Sequence, residues 1–371
     1  MTRKEIKKAV IRIIISAVLT VSVAVAGKAL PSAWISESFK PLSRKITRVL
    51  SFLFGILPFS VAEFLLYLLI AGTITYITIT IVRIIRKKCP PAGALRCVSK
   101  LALMAGTLIF IFNIFWGFNY YSFSLANEIG LDVERYSVEA LRLTVESFVT
   151  ELNSIAGDVP RDAAGVSDFG SFGELAGMAV EGWKLLAESN DAFAGVSPSK
   201  PKPVAASKAM SYAGISGIYI PFTGEANVNA HIPDSSLPFT MAHELAHAAG
   251  VAPENEANYA AFLACRLNPN VEFRYSGYLS AFAFSYNALV REDAEAAYAL
   301  RRQLDERVEA DLRARSEYWS RFEGKVSEAA TRMNNAYLMA MSQTHGVKSY
   351  GMVVDLLIAD YVARNGNPDL T

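Results

Sequence analysis

Three long apolar runs in the first third of the chain constrain its fold more than any other feature. They cover about 9–27, 58–85 and 101–118, and each is long enough to cross a hydrocarbon core of about 30 Å as a helix. They also explain a composition in which 52% of the residues are hydrophobic and 19% are charged. Buried core helices are the alternative, and the first run also fits a cleaved signal peptide. The sequence therefore predicts a membrane region with three transmembrane helices at 1–118 and a separate domain at 119–371.

Basic residues predict the orientation of these helices. Two groups precede or open the first run and fill the segment between the second and third: Lys4, Lys7, Lys8 and Arg12, then Arg83, Arg86, Lys87, Lys88, Arg96 and Lys100. Since loops rich in lysine and arginine stay in the cytoplasm, we expect both regions there. The loop at about 28–48 is also basic, so the bias is incomplete. The rule places the domain outside the cytoplasm in a multi-pass plasma-membrane protein.

Charge and cysteine content exclude several classes of protein. The formal net charge is +1 and no basic cluster is interleaved with aromatic residues, so we expect no nucleic-acid partner. Three cysteines, Cys89, Cys97 and Cys265, are too few for a disulfide framework. After the membrane region the pattern is mainly helical. One stretch at 217–231 is strand-like, and a Pro- and Lys-containing segment at 197–208 is typical of a loop. The sequence predicts a mainly α domain with a small β-sheet (α+β).

The stretch HELAH carries the strongest chemical signal in this domain. Its two histidines, His243 and His247, lie one turn apart on one helix face, so both imidazoles can reach a single zinc ion. Glu244 is rotated about 100° around the axis, in place to take a proton from water. Thr240 is expected to cap the helix and Gly250 to end it. A chance pair of surface histidines is the alternative, but the chain has only 4 histidines and these two lie among small apolar residues. We predict a packed active-site helix that binds one zinc ion per chain.

A catalytic zinc needs a third protein ligand and an open position. Glu254 and Glu256 are the candidates, and helical periodicity does not separate them because their helix is apolar nearly all round. Ligating histidines usually donate their second ring N–H to an oxygen that fixes the ring. Asn258 lies at i+4 from Glu254 and shares its face. We therefore predict Glu254 as the metal ligand, Asn258 as the residue that orients a histidine, and Glu256 as the partner of a cation.

These residues resemble the gluzincin metallopeptidases, the thermolysin-like group, in which HExxH is followed by a helix with the pattern E-x-x-x-D. Glu254-Asn-Glu-Ala-Asn258 follows that pattern, with asparagine in place of the aspartate and a short spacing between the helices. The chain is more closely similar to an uncharacterised bacterial membrane family, the domain of unknown function 3810. The stretches that carry this similarity are GIYIPFTGEANVN, LPFTMAHELAHAAG, ENEANYAAFLAC, FRYSGYL and GVKSYG. The resemblance implies a zincin-like fold and a zinc peptidase of the bacterial plasma membrane, with no known substrate.

The implied reaction is hydrolysis of peptide bonds by a zinc-activated water, with Glu244 as the general base. The oxyanion that develops then needs a hydrogen-bond donor. The candidates are Tyr275, Tyr278, Arg274, Tyr337 and His345. Tyr275 is the preferred catalytic donor, although each of these residues also fits ordinary packing.

Polar and small apolar residues alternate in GEANVNAH, just before the histidine helix. Because side chains alternate across a strand, one face carries Asn227 and Asn229 and the other carries Ala226. Pro221 in the same run favours an edge strand. An edge strand offers unpaired backbone groups to an extended peptide, as in thermolysin-like enzymes, and we predict these three residues as the substrate-binding set. An edge strand blunted against aggregation is the alternative.

Two functions fit the sequence. The first is a membrane-anchored zinc metallopeptidase that acts on peptide or protein substrates. The second is a non-catalytic zinc-binding sensor or scaffold in the membrane. Glu244 favours the first, because a structural site needs no base beside its ligand. The charged run at 291–319 is expected to be a solvated helix face with i,i+4 ion pairs.

Overall fold

The computed structural model of the protein describes residues 3–87, 93–134, 136–196, 199–341 and 352–366. Most of these residues are helical, and a small sheet of mixed direction accompanies the helices. The prediction of a mainly helical chain with one small sheet is therefore confirmed. Some positions that the sequence singled out lie outside the described residues: Lys88, Cys89, His345 and the stretch GVKSYG at 346–351.

The α-helices of the described residues are α1 (Arg3–Ala29), α2 (Ser32–Trp34), α3 (Lys40–Gly55), α4 (Val61–Ile85), α5 (Gly93–Phe115), α6 (Leu125–Ile129), α7 (Val138–Ile155), α8 (Phe172–Ser189), α9 (Ser207–Tyr212), α10 (Leu237–Ala248), α11 (Glu254–Leu267), α12 (Val271–Glu292), α13 (Ala294–Arg301), α14 (Glu306–Ser320), α15 (Lys325–Ala340) and α16 (Met352–Asn365). A π-helical segment joins α2 to α3, and short 3₁₀ turns join other helices: Ile35–Phe39, then Gly117–Tyr121, Asp191–Phe193 and Asp234–Ser236. The strands are β1 (Lys202–Pro203), β2 (Gly217–Ile220) and β3 (Glu225–Val228).

Three helices among the described residues are long and apolar enough to cross a membrane: α1, α4 and α5. Each contains most of one of the apolar runs at 9–27, 58–85 and 101–118. α1 and α5 pack side by side, and Ser16 Oγ donates to Ala102 O at 2.6 Å. Gly106 allows this approach, because a Cβ at that position would overlap Ser16 Oγ. These helices associate the chain with a membrane.

Helix α3 shows an inverted amphipathic pattern in a segment that overlaps the predicted loop at 28–48. Its polar side chains are buried, with Ser43 only 1% exposed, whereas Phe52 on the opposite face is 74% exposed. The same contrast separates two sets of residues: buried Lys40, Ser43, Thr47 and Ser51, and exposed Leu42, Val49, Phe52 and Leu53. This pattern suits a helix that lies between a polar protein surface and lipid, between the candidate spans α1 and α4.

The buried face of α3 is bonded to the rest of the protein. Thr47 Oγ1 lies 2.8 Å from the hydroxyl of Tyr219 on β2, and Ser51 Oγ donates to Gly224 O at 2.6 Å. Arg44 Nε donates to Ala249 O at 2.7 Å, just after α10. The helix therefore holds both the sheet and the end of α10 against the membrane region.

The main core forms where α8, α11 and α12 pack around α10 and α7 packs against α12. Trp183 on α8 is fully buried, and its Nε1–H donates to Ala242 O of α10 at 3.0 Å. Phe148 and Phe262 pack edge to face at 5.7 Å between α7 and α11. Alanines along α10 and α11 let these two helices approach each other closely, so α10 sits at the centre of the domain.

The sheet has the order β1–β3–β2, with β3 parallel to β1 and antiparallel to β2. The prediction that the segment around Ala226 is an edge strand is therefore wrong. β1 comes from the segment at 197–208 that was expected to be a loop, and its two residues cover the far side of β3. Pro221 lies in the turn after β2, where no ladder hydrogen bond is lost. Among the described strands, β2 faces the helices, and its outer edge pairs with no other strand.

The asparagines that were predicted to bind substrate are buried instead. Asn229 Nδ2 donates to Ser211 Oγ at 2.9 Å and to Ile215 O at 3.1 Å. Asn227 Nδ2 donates to Glu225 O at 3.0 Å, and Ala226 packs into the core. The alternation was real, but the polar face turns into the protein interior, where Asn227 and Asn229 are buried and are not exposed to the cleft. Asn227 Oδ1 has no hydrogen-bond partner among the described residues.

Glu225 and Lys202 form a buried ion pair that ties the sheet to α4. Glu225 is 2% exposed, and Lys202 Nζ donates to its Oε1 at 2.6 Å. The same carboxylate accepts from the backbone N–H of Ala62 at 2.7 Å, in the first turn of α4. Lys202 also donates to Phe54 O at 2.7 Å. Since both charges lack water, each depends on the other.

We predict that Glu225→Ala lowers the free energy of unfolding by about 3–5 kcal/mol, because it leaves Lys202 buried and unpaired. The measurement is thermal unfolding of the purified full chain in detergent. Glu317→Ala, at an exposed position on α14, is the matched control and should leave the melting temperature unchanged. Equal melting temperatures for the two variants would contradict a stabilising role for the pair.

Candidate metal centre

Helix α10 carries both histidines of HELAH and has defined ends. It begins at Leu237 with Pro238 in its first turn, so the predicted cap at Thr240 lies inside the helix. Proline fits there because the first helical N–H groups have no partner within the helix. Gly250 has φ of 80°, in the left-handed region, and its N–H donates to His247 O at 3.0 Å. The predicted stop at glycine is confirmed, and it turns the chain directly into α11.

The turn brings the first residue of α11 back to the two histidines. His243 Nε2 lies 3.3 Å from Glu254 Oε2, and His247 Nε2 lies 3.6 Å from Glu254 Oε1. One possible ligand atom from each of the three residues lies within 4.8 Å of the other two. The structure thus brings together the three residues that were predicted as metal ligands.

The donor set fits a single zinc ion. Ligands at 2.0–2.1 Å from zinc in a tetrahedral arrangement are about 3.3 Å from one another, close to the two separations above. Two imidazoles and one carboxylate are also the donors of catalytic zinc sites, which leave the fourth position open. The three residues are therefore close enough together to reach one metal ion, whose ligation would draw in atoms that now lie up to 4.8 Å apart.

Burial and mutual charge set the protonation of this cluster. Burial alone would raise the pKa of Glu254, but the hydrogen bond with His243 and the potential of both imidazoles lower it to about 2. Burial lowers the pKa of His247 to about 4, so this imidazole is neutral at pH 7. For His243, burial is outweighed by Glu254, which raises the pKa. Since metal ligands bind in their deprotonated form, the raised pKa of His243 makes a proton on that imidazole a competitor of a bound cation.

Groups outside the cluster orient His247. Its Nδ1 lies 2.8 Å from Val251 O, so Nδ1 carries the proton and Nε2 points at Glu254 with a free lone pair. Trp116, just after α5, packs its ring edge to face on the imidazole at 5.9 Å. The Trp116 Nε1–H donates to His247 O at 2.9 Å. The end of a candidate membrane span is therefore in direct contact with a ligand.

Asn258 and Glu256 leave α11 on different sides. Asn258 lies beside His243 and contributes to the raised pKa of that imidazole. His243 Nδ1 and Asn258 Nδ2 are buried, and neither has a hydrogen-bond partner among the described residues. Burial raises the pKa of Glu256 to about 7, although the backbone N–H of Leu125 and the charge of Lys40 both act to lower it. Glu254 faces the histidines, whereas Glu256 lies near Lys40, whose Nζ forms its ion pair with Glu128.

Glu244 is buried against the edge strand β2. Its carboxylate accepts from the backbone N–H of Tyr219, and burial raises its pKa to about 8. A Cβ on Gly217 would overlap Glu244 Oε1, so only glycine fits beside this carboxylate. Glu244 Oε2 is buried and has no hydrogen-bond partner among the described residues. The carboxylate is thus held by one strand and keeps an acceptor free beside the cluster.

A cleft of about 800 Å³ opens above these residues. It is lined by α10, α11 and β2, by the end of α5, and by parts of α12, α14 and α15. Tyr337 on α15 lines it, with its hydroxyl 3.2 Å from the hydroxyl of Tyr120. Burial raises the pKa of Tyr337 to about 12, and Glu254 adds to the rise, so the hydroxyl stays protonated.

The structure does not bring Tyr275 to this cleft. Its hydroxyl donates to Asp311 Oδ2 at 2.5 Å and accepts from Arg161 Nη2 at 3.3 Å, and the whole side chain is buried. Tyr278 packs against Phe262, away from the cleft lining. The chain carries 16 tyrosines, and the sequence offers no way to tell which hydroxyl reaches the cleft.

Other cleft residues had no signal in the sequence. Arg315 lies in the charged run at 291–319 that was expected to be a solvated helix face. Asp311 of the same run is fully buried, and Arg315 lines the cleft, so that expectation is wrong for this face. Trp116 lies in the apolar run at 101–118, so the sequence predicted only a membrane helix there. Gly217 is the exception, because a glycine in a strand-like stretch often marks a site where another group approaches the backbone closely.

Comparisons with known proteins identify a family and nothing finer. The family model described as "Protein of unknown function (DUF3810)" matches residues 40–358. No curated protein matches the chain. No solved structure matches it.

We expect the purified chain to bind about one zinc ion, measured by elemental analysis after dialysis. His243→Ala, His247→Ala and Glu254→Ala should each abolish binding or weaken it by at least about tenfold, because each removes a donor. Glu256→Ala, two residues along the same helix, is the matched control and should retain zinc. Greater zinc loss in Glu256→Ala than in Glu254→Ala would reverse the assignment of the third ligand.

Proposed function

The chain belongs to the DUF3810 family, described as being of unknown function, and we propose from the site alone that it is a membrane-anchored zinc metallopeptidase with a zincin-like domain. The observation that carries the proposal is the buried, unpartnered Oε2 of Glu244 beside a set of two imidazoles and one carboxylate. A structural metal site needs no such base, and its donors leave no position open. We further propose that the domain lies outside the cytoplasm of a bacterial cell.

His243, His247 and Glu254 would hold the metal, with Asn258 and Val251 O orienting the rings. A bound zinc ion supplies a Lewis acid that polarises the scissile carbonyl and makes water more acidic. Burial holds the pKa of Glu244 at about 8, and the charge of a bound cation would lower it. The ionised carboxylate would then take the proton from the attacking water and return it to the leaving amine. Its burial keeps bulk water from competing for that proton, and the N–H of Tyr219 fixes the carboxylate during both transfers.

Strand β2 is the surface that would hold the peptide. Asn229 N–H donates to Ser216 O, and hydrogen-bonded pairs alternate along an antiparallel ladder. Gly217 and Tyr219 therefore turn their backbone groups away from β3, and the N–H of Tyr219 already meets Glu244. An extended substrate that pairs with the free groups of this edge would lie directly above the general base. Substrate would therefore bind by strand addition to β2.

Tyr337 is the proposed donor to the oxyanion. It was among the candidates from the sequence, it lines the cleft, and its pKa is affected by Glu254. Its hydroxyl now faces that of Tyr120 at 3.2 Å, a long contact for two hydroxyls. A developing negative charge would be the stronger acceptor.

We predict that Glu244→Gln retains zinc but lowers the cleavage rate by at least about a hundredfold, the lower range for removal of a general base. The assay is hydrolysis of a mixed library of quenched fluorogenic peptides by the full chain in detergent micelles. Equal cleavage by both proteins would refute the proposed role of Glu244. Zinc binding with no cleavage by the unaltered chain would instead favour the sensor or scaffold.

We predict that Tyr337→Phe lowers kcat by about a hundredfold or more and changes KM little, because the lost hydrogen bond forms in the transition state. Tyr275→Phe is the matched control: it removes a hydroxyl from the Asp311 network and should leave kcat unchanged. The same peptide library, followed by kinetics on the best substrate, provides both constants. A larger fall in kcat for Tyr275→Phe than for Tyr337→Phe would refute this assignment.

A further inference from the structure

Helix α14 carries one buried acid whose hydrogen bonds are already satisfied. Asp311 accepts from Arg161 Nη1 at 2.9 Å, from the backbone N–H of Ser167 at 2.8 Å and from the hydroxyl of Tyr275. Its side chain has no exposure to solvent. The guanidinium of Arg161 balances its charge, because the two form the ion pair in this network.

Arg315 follows Asp311 by one turn and forms no ion pair with the residues that the structure describes. Its one hydrogen bond among the described residues runs from Nη2 to Ser280 Oγ at 3.4 Å, and its buried Nη1 has none. Burial lowers its pKa to about 10, which still leaves it charged at pH 7. A partly buried charge without a counter-ion is unfavourable. Among the described residues, the two arginines and one aspartate of this network therefore leave one positive charge without an ion-pair partner.

That charge lies in the cleft of the proposed active site. Arg315 lines it together with His243 and Glu244. Ser280 and Asn334 add polar groups to the same lining, and Trp319 adds an apolar surface one turn from Arg315. A guanidinium offers parallel N–H donors that match the two oxygens of a carboxylate. Every unmodified peptide carries one carboxylate at its C-terminus, and acidic side chains carry others.

Resting on the proposed peptidase function, we propose that Arg315 binds a carboxylate of the substrate and so selects which peptides enter the cleft. The negative charge of the bound carboxylate balances the positive charge of Arg315, which has no ion-pair partner among the described residues. The ligand chemistry is a carboxylate, from the peptide C-terminus or from an acidic side chain. Arg315 is a binding residue and takes no part in proton transfer.

The test measures binding to chelator-treated full-length protein in detergent, where no metal competes for the carboxylate. The probes are acetyl-Phe-Ala with a free C-terminus, the same dipeptide with an amidated C-terminus, and amidated acetyl-Phe-Glu. Isothermal titration calorimetry gives each Kd. We expect the free acid to bind at least about tenfold more tightly than its amide, the ratio that one charge-assisted hydrogen bond provides.

The variants separate Arg315 from general charge. Arg315→Gln should reduce the acid-to-amide ratio to about one, whereas Arg313→Gln, exposed on the same helix, should keep it. Arg315→Met, which fills a similar volume without charge, is a second variant that should fold, because it removes an uncompensated charge. A ratio near one in the unaltered protein, or a full ratio in both Arg315 variants, would overturn the proposal.

The third probe identifies the source of the carboxylate. If amidated acetyl-Phe-Glu binds as tightly as the free acid, acidic side chains are recognised; if it binds like the amide, the site recognises the C-terminus. Either result supports the carboxylate site. A chain that never takes up zinc but keeps the preference would refute the peptidase function alone, so the two failures are distinguishable.

Discussion

The rest of the domain depends on one constraint, which is that ionisable groups on α10 and α11 line a cleft in which they have little exposure to water. Burial would protonate Glu254, and only the two imidazoles keep its pKa near 2. The backbone of Val251, the indole of Trp116 and the N–H of Tyr219 each fix one member of the site. Sheet, core helices and membrane helix therefore converge on a few buried polar atoms.

The sequence predicted those features that depend on spacing along one helix. The i,i+4 relation fixes His243 and His247 on one face, and the same rule separated Glu254 from Glu256 without knowledge of the fold. The glycine stop after α10 followed from conformation alone. The membrane helices followed from length and apolarity.

Features that depend on which elements pack against a given face of a helix or strand could not be predicted from spacing along the sequence. Alternation showed that Asn227 and Asn229 share a face, but not that α9 contacts Asn229 or that β1 pairs along the outer edge of β3. In the charged run, Arg315 and Arg313 have the same local signal, and only packing against α12 makes one a cleft residue. For Tyr275, the residue type showed that a hydroxyl is present but not where in the fold that hydroxyl lies. A periodic pattern assigns residues to faces, whereas tertiary contacts decide which face meets solvent.

The inverted helix α3 affects how the chain is divided into units. The predicted boundary at 118/119 separates apolar runs from the rest, yet Arg44, Thr47 and Ser51 bond across it. A fragment that begins at residue 119 would lose Trp116 beside His247 and the N–H groups of α4 that Glu225 accepts from. The predicted boundary therefore cuts through hydrogen bonds that join the sheet and the end of α10 to the first 118 residues.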